Sequence, residues 1–437
     1  MRYLLTILFA FAFSLQLLAQ QPTAVDANAR VGALINSADY VTLGEELPAL
    51  RAKVAKPLLA LADALVAYSE GRFEDSNKAI DVVSEFAPEL GSEVVFGMQN
   101  LSIINYLSAE NYKAGAEVVQ MLLVLLPEDE AADNRRHLES LDRWFAALAT
   151  KSPVEMVRPE KDVVIPVEVR GVGNGEHLVI DAKVGDNVEK FIFDTGCGNS
   201  NFISTAAAER LGVEIVAEHI LVRGFAEGYA KLGFLPEMQI GDITIRNATF
   251  CVVDKIVPEN AEVEGLCEAV LGTHIIRKMG EIRFEREKSC FVLPAEESVA
   301  PKQRNIFFDS HYYIWCNDGD DRVVMHFDTG NNKTYLSSKY YNRFTERVEQ
   351  EGSDVERSRS GGFGGVEWCD IRTLPKVEFD VCGQALQVEK VAVTMPTKYE
   401  DGTPYIEPYD GVVGVDFLTA REVVTFDLSR MFFRVDK

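Results

Sequence analysis

The sequence predicts an α-plus-β protein: an N-terminal domain of helical hairpins, then a mainly β domain made of two lobes of duplicated sequence. Three observations carry this. The triplet Asp-Thr-Gly occurs twice, at Asp194-Thr195-Gly196 and Asp328-Thr329-Gly330. Each copy closes a short apolar run, Phe191-Ile192-Phe193 and Val323-Val324-Met325-His326-Phe327, which reads as a buried strand leading into a turn. Residues from about 28 to 150 instead carry apolar side chains at helical spacing, with little strand-like alternation.

The duplication extends beyond the triplets, which stand 134 positions apart. Asn201-Phe202-Ile203-Ser204 followed by the helix-like Thr205 to Leu211 corresponds to Thr334-Tyr335-Leu336-Ser337 followed by Ser338 to Phe344. Leu235-Pro236 corresponds to Leu374-Pro375 at an offset of 139. Val270-Leu271-Gly272 corresponds to Val412-Val413-Gly414, and Phe284 and Phe291 correspond to Phe426 and Phe433, all at 142. The offset only grows, as expected of a second copy with a few loop insertions. Self-similarity on this scale indicates a duplicated domain rather than a solenoid.

An apolar strand ending in Asp-Thr-Gly, followed far downstream by two apolar residues and Gly, resembles one lobe of a pepsin-like or retropepsin-like aspartic protease. The resemblance covers residues 163 to 437. It implies a duplicated, two-lobed all-β barrel fold, with a first lobe over residues 167–298 and a second over 299–437. It further implies that each lobe supplies one catalytic aspartate, Asp194 and Asp328, and that Val270-Leu271-Gly272 and Val412-Val413-Gly414 cross behind the catalytic loops. Thr195 and Thr329 would reach to the opposite lobe, and Gly196 and Gly330 would keep the loops free of a Cβ beside substrate. Two glycine-rich segments read as hairpin tips. They contain Gly224, Phe225 and Gly228 in the first copy, and Gly361, Gly362, Phe363, Gly364 and Gly365 in the second. In the resembled family such a hairpin is a flap over bound peptide; alone, each is equally an exposed loop.

Two carboxylates within hydrogen-bond reach do not both ionise cheaply, so their titrations couple and split. One then serves as a base toward water while the other, protonated, donates to a carbonyl oxygen. No cofactor and no metal is needed. The residue after each triplet departs from the resembled family, being Cys197 in one lobe and Asn331 in the other. A hydroxyl there would favour the charged carboxylate; Cys is a poor donor and Asn is bulkier. Cys197 reads first as small buried filler and second as a redox-sensitive thiol.

Other chemistries lack their residues. The six histidines form no His-x-x-x-His pair, the seven cysteines no Cys-x-x-Cys, and no Gly-x-Ser-x-Gly is present. Gly171-Val172-Gly173-Asn174-Gly175 lacks the spacing of a dinucleotide loop and reads as a turn. A net charge of −24 argues against nucleic acid and anionic membrane surfaces as partners.

Met1-Arg2 and the apolar run to Ala19 read as a signal peptide over residues 1–20, so the protein is expected to be exported, periplasmic or extracellular, with no membrane span once the signal is removed. Cysteine pairing is not legible from the sequence, and an odd count leaves at least one thiol unpaired or paired between molecules. The helical domain is expected over residues 21–150 and a proline-bearing linker over 151–166. Within the helical part, Ser69-Glu70-Gly71-Arg72-Phe73-Glu74 corresponds to Ser108-Ala109-Glu110-Asn111-Tyr112-Lys113 at an offset of 39, and Pro88 to Pro127. These units resemble tetratricopeptide-type hairpins. They imply a surface for a protein partner, a plain helical bundle, or an inhibitory pro-segment. For the β lobes two readings stand: an exported aspartic endopeptidase acting on a peptide or protein substrate, or a catalytically silent peptide-binding module of the same fold.

Overall fold

The two turns of the helical repeat are built alike. In the computed structural model, α1 (Pro22–Asn36), α2 (Tyr40–Leu50), α3 (Lys56–Ser69), α4 (Phe73–Glu85), α5 (Ala87–Leu90), α6 (Ser92–Ser108), α7 (Tyr112–Leu125) and α8 (Ala132–Leu148) form one unit. The structure describes residues 22–126, 132–173, 175–224, 227–256, 267–302, 304–362, 365–398, 405 and 407–436, so the signal-peptide expectation lies outside the described residues. Helix α3 ends where Gly71 turns left-handed (φ 70°), and α6 ends where Glu110, 39 positions on, does the same (φ 56°). The closing bonds also repeat. Gly71 N donates to Tyr68 O and Arg72 N to Ala67 O; Glu110 N donates to Leu107 O and Asn111 N to Tyr106 O. These are the paired bonds that satisfy carbonyls at a helix C-terminus. The aromatic that follows each turn, Phe73 or Tyr112, is buried. Pro88 opens the short α5 rather than only ending a helix, since a proline at the first turn sacrifices no hydrogen bond.

Residues 307–309 group with the helices. The Phe308 ring stands edge-on to Tyr68 (5.3 Å) and Phe73 (5.2 Å), and the Tyr68 hydroxyl donates to Asp309 (3.4 Å). No helix among the described residues is long and apolar enough to cross a membrane.

The β unit starts at Val154. Its first lobe comprises β1 (Glu155–Val157), β2 (Val163–Pro166), β3 (Glu168–Val172), β4 (Gly175–Val184), β5 (Asn187–Phe193), β6 (Asn201–Ser204), α9 (Thr205–Leu211), β7 (Glu214–Arg223), β8 (Glu227–Ile240), β9 (Ile243–Val253), β10 (Ala269–Leu271), α10 (Thr273–Ile276), β11 (Ile282–Glu285) and β12 (Cys290–Leu293). Strand β13 (Ile306–Asp309) groups with the helices except for Ile306, and the second lobe comprises β14 (His311–Asp318), β15 (Asp321–Phe327), β16 (Tyr335–Leu336), α11 (Ser338–Arg343), α12 (Thr345–Glu351), β17 (Glu356–Gly362), β18 (Gly365–Val381), β19 (Gln384–Thr394), β20 (Gly411–Val413), α13 (Val415–Thr419), β21 (Val423–Asp427) and β22 (Phe432–Val435). The stretch expected as a linker therefore contains two laddered strands, β1 against β9 and β2 against β12.

Each lobe is a sheet curled on itself. Six strands of the first, in the order β9-β6-β10-β5-β4-β8, come round until β8 pairs with β9, and the β4–β8 seam is one residue pair, Lys183 with Gln239. In the second, β14-β15-β20-β16-β19-β18 closes at Asn317 with Asp380. These are curled sheets with a minimal seam, not continuously laddered barrels. A five-stranded sheet, β2-β12-β11-β21-β22, joins the lobes, with β11 of the first antiparallel to β21 of the second.

The duplicated motifs occupy equivalent places. Strand β10 lies between β5, to which it is parallel, and β6, to which it is antiparallel. Strand β20 lies likewise between β15 and β16. The chain leaving β5 or β15 must cross the end of that central strand to reach the far side, which is why glycine follows the two apolar residues. A Cβ on Gly272 would strike the backbone of Ser200 and Cys197, and one on Gly414 the backbone of Lys333 and Thr334. Ser204 caps α9 by accepting from Ala207 N (3.0 Å), and Ser337 caps α11 by accepting from Lys339 N (3.1 Å). The repeated phenylalanines form the floor. Phe193 packs on Phe291 (4.5 Å between ring centroids), and Phe327 on Phe426 (5.4 Å) and Phe433 (5.8 Å).

Candidate active site

Both triplets are pinned to the central strands and then to each other. Asp194 N donates to Leu271 O and Asp328 N to Val413 O, each at 3.0 Å. One residue on, the two threonines exchange four bonds. Thr195 Oγ1 donates to Phe327 O (2.8 Å) and accepts from Thr329 N (3.0 Å); Thr329 Oγ1 donates to Phe193 O (2.7 Å) and accepts from Thr195 N (3.0 Å). Both side chains are fully buried, so these bonds are shielded from water and fix the lobes in register.

This grip brings the two carboxyls into mutual hydrogen-bond contact. The glycines permit it: a Cβ on Gly196 would fall on the Asp328 carboxylate, and one on Gly330 on that of Asp194. In each carboxylate, Oδ1 is held by backbone. Asp194 Oδ1 accepts from Gly196 N (2.8 Å) and Cys197 N (2.9 Å), and Asp328 Oδ1 from Asn331 N (3.1 Å). Asp328 keeps 24% of its side chain exposed, enough for a water or a substrate carbonyl to reach it.

Burial raises the proton affinity of both carboxyls. For Asp194 the neighbouring Asp328 charge adds to burial, and for Asp328 the hydrogen bonds it accepts pull the other way. Asp194 is the carboxyl pushed further above the ordinary carboxylate range. A pair in this state holds one proton to higher pH than a free carboxyl does.

Neither departure from the resembled pattern supplies a side-chain donor to the dyad. The Cys197 thiol donates to Ser200 O (3.1 Å), away from the carboxylate, and burial first, then the Asp194 charge, pushes it well above its ordinary value, so it stays protonated. At Asn331 the backbone N–H does the donating. Loop anchors differ between lobes: Asn201 Oδ1 accepts from Gly272 N (2.9 Å), whereas Thr334 Oγ1 accepts from Gly414 N (3.0 Å) and donates to Asp416 (2.6 Å). All seven cysteines are free thiols.

The two glycine-rich segments are hairpin tips, β7–β8 and β17–β18. Gly228 pairs with Val222, Gly361 with Val366 and Gly362 with Gly365; Gly224 follows the last residue of β7. Phe225, Phe363 and Gly364 lie outside the described residues. Among the described residues no hydrogen bond or ring contact joins either tip to Asp194 or Asp328.

One cluster was not foreseen. His326 stands beside Asp328, its Nδ1 4.0 Å from Oδ2. Its ring meets His311 (5.0 Å between centroids), Tyr313 (5.5 Å) and Tyr409 (6.2 Å). Burial lowers the pKa of His326 to about 4 and that of His311 to about 3, so both rings are neutral over most of the pH range. Tyr335 and Tyr409 also face Asp328, and burial raises both phenols. The available signal was positional: His326 stands two places before Asp328, a spacing that puts side chains on one side of an extended chain, yet it sits in an otherwise apolar run.

Residues 180–274 match the profile of a family described as aspartyl protease. That span runs from within β4, through Asp194, to Gly272 and the residues just after it. No curated protein sequence matched the chain. Among solved structures, an aspartic proteinase from Irpex lacteus aligns at 13% identity, covering 62% of this chain and 96% of its own, with a TM-score of 0.36. Basic 7S globulin from soybean aligns at 13% identity over 62% of this chain and 94% of its own, TM-score 0.38. A retropepsin-like aspartic protease from Rickettsia conorii aligns at 19% identity over 32% of this chain and 91% of its own, TM-score 0.21.

Proposed function

We propose that this chain is an exported aspartic endopeptidase. The observation that supports it is the pair of half-buried, mutually hydrogen-bonded carboxyls of Asp194 and Asp328, held by the reciprocal threonine bonds. The match of residues 180–274 to the aspartyl protease profile supports the same reading. One carboxylate takes a proton from a water lying between the pair. The water oxygen attacks the peptide carbonyl carbon while the other, protonated carboxyl donates to the carbonyl oxygen. Protonation of the amide nitrogen and collapse of the tetrahedral diol release two peptides and return one proton to the pair. No covalent intermediate forms. An extended peptide would lie across the carboxyls and add strand-like bonds to the β7–β8 and β17–β18 hairpins.

The test is digestion of a mixed peptide pool across pH 3 to 8 by the mature chain and by Asp194→Ala. New fragments from the parent and none from the variant support the reading. No fragments from either at any pH would sink it and leave the silent peptide-binding module. Export belongs to the same proposal. Its check is N-terminal sequencing of secreted protein, which should begin near residue 20. A protein partner for the helical hairpins is tested by crosslinking the intact chain in the secreted fraction.

A further inference from the structure

The two halves of the dyad are not equivalent, and one difference is a side chain beside the carboxylate. Ile192 and His326 hold corresponding places, each two residues before its aspartate on the strand leading to it. Ile192 packs into an apolar cluster with Val179, Cys267 and Val270. His326 instead turns a polar edge toward Asp328, with Nδ1 4.0 Å from Oδ2, whereas Asn331 N donates to Oδ1. Its other nitrogen, Nε2, is buried and has no hydrogen-bond partner among the described residues. An unpaired buried acceptor is tolerated better than an unpaired N–H, so the neutral ring keeps its proton on Nδ1, facing the carboxylate. A ring movement of about 1 Å brings that N–H into hydrogen-bond range.

The surroundings keep the ring neutral and in place. The groups that face it are Asp328 from the loop just after its own strand, His311 and Tyr313 from β14, and Tyr409 from the segment before β20. Behind Tyr409 lie Tyr335 and Glu407, while β20 presents Val412 as the register partner. His311 in turn lies against the catalytic loop of the first lobe: a Cβ on Gly198 would sit 3.6 Å from its Nε2. The two imidazoles thus wedge between the first-lobe loop and Asp328.

We propose that His326 is a positioning residue that makes the carboxyl pair asymmetric, holding the negative charge on Asp328 and leaving the shared proton on Asp194. In the endopeptidase reading, on which this assignment of roles rests, Asp328 is the base toward water and Asp194 the acid toward the carbonyl oxygen. A donor aimed at one carboxylate lowers that group's proton affinity relative to its partner. Among the described residues the first lobe, with Ile192 at the corresponding place, has no such side-chain donor; Asp194 is held by the backbone N–H groups of Gly196 and Cys197.

The experiment separates this assignment from the enzymatic reading. Aspartate carboxyl carbons are labelled with 13C, and the pair's signals are identified by their loss in Asp194→Asn and Asp328→Asn. The pair is then titrated in the parent, in His326→Ile, which copies the first lobe, and in His326→Asn, which keeps a donor. Thermal unfolding confirms that each variant is folded. The expected result is that His326→Ile moves the lower midpoint of the pair, seen at Asp328, upward by about one pH unit, the scale of one charge-assisted hydrogen bond. His326→Asn should recover at least half of that shift. An unchanged lower midpoint in a folded His326→Ile, or Ile and Asn variants shifted alike, overturns the proposal. In parallel, the acidic limb of kcat/KM against pH should move with the midpoint. Absence of any cleavage by the parent would defeat the endopeptidase reading alone, while the titration still decides on His326.

Discussion

Replacing Thr329 with alanine isolates the grip that holds the carboxyls together. The Thr329 hydroxyl makes two buried bonds, to Phe193 O (2.7 Å) and from Thr195 N (3.0 Å). Alanine fills much of the same space but leaves that carbonyl and that N–H without partners where water does not reach. Each orphaned buried group costs about 1–3 kcal/mol, so the pair should cost about 2–6 kcal/mol. Serine keeps the oxygen and loses one methyl, a cost of about 1 kcal/mol. The mirror variant Thr195→Ala frees Phe327 O and Thr329 N and should cost a similar amount. Denaturant unfolding in a Trp144→Phe background reads the β unit, because Trp144 lies in the helical unit while Trp315 and Trp368 lie in the β unit. The expected order of midpoints is parent, Thr329→Ser, Thr329→Ala. An alanine variant within about 0.5 kcal/mol of the parent, or equal to the serine variant, would refute the reasoning.

Three further outcomes are expected. Gly330→Ala places a Cβ on the Asp194 carboxylate, so peptide cleavage should fall by at least about 100-fold while the far-ultraviolet spectrum stays unchanged; full activity would contradict the close approach. Asp194→Asn should stabilise the protein, and the gain should depend on pH. The raised folded-state pKa of Asp194 means that the native pair binds more protons than the unfolded chain, so parental stability declines as pH rises above the ordinary carboxylate range. The gain in melting temperature should therefore be small near pH 4 and larger near pH 8, and a pH-independent difference would contradict it. His177 titrates with the opposite sign. Burial holds it near a pKa of about 4, so native stability is lost as pH falls from about 6.5, the unfolded value, toward 4. His177→Leu should remove that part of the decline, as seen by comparing unfolding midpoints at pH 4.5 and 8.

The most local features were the most legible in the sequence. Asp194 and Asp328 stand at strand ends followed by glycine. The apolar-apolar-glycine segments report a steric need of a single crossing, and Ser204 and Ser337 are helix caps with their helices directly after them. The hairpins around Gly228 and Gly361 were visible because glycine marks tight turns. What escaped was set by long-range pairing. Residues 151–166 resembled a linker through their prolines, yet Val163 and Ile165 are buried and Val164 exposed, the alternation of a strand whose partner, β12, lies about 130 residues away. The repeated phenylalanines were seen as repeats, but not as the shared sheet in which Ile282 pairs with Phe426. His326 was absorbed into an apolar run. Its companions come from two other segments, His311 and Tyr313 from β14 and Tyr409 from the stretch before β20, and only the closed curl of the second lobe assembles them.

The central claim is that two carboxyls from two lobes act as one catalytic unit. It is tested most directly by kcat/KM on one cleaved peptide for the parent, Asp194→Asn, Asp328→Asn and the double variant. Groups that act together give strongly non-additive losses. Each single replacement should abolish at least about 1000-fold of the activity, and the double variant should be no worse than either single one. Losses that multiply in the double variant, or a single variant that retains substantial cleavage, would contradict the shared-proton mechanism.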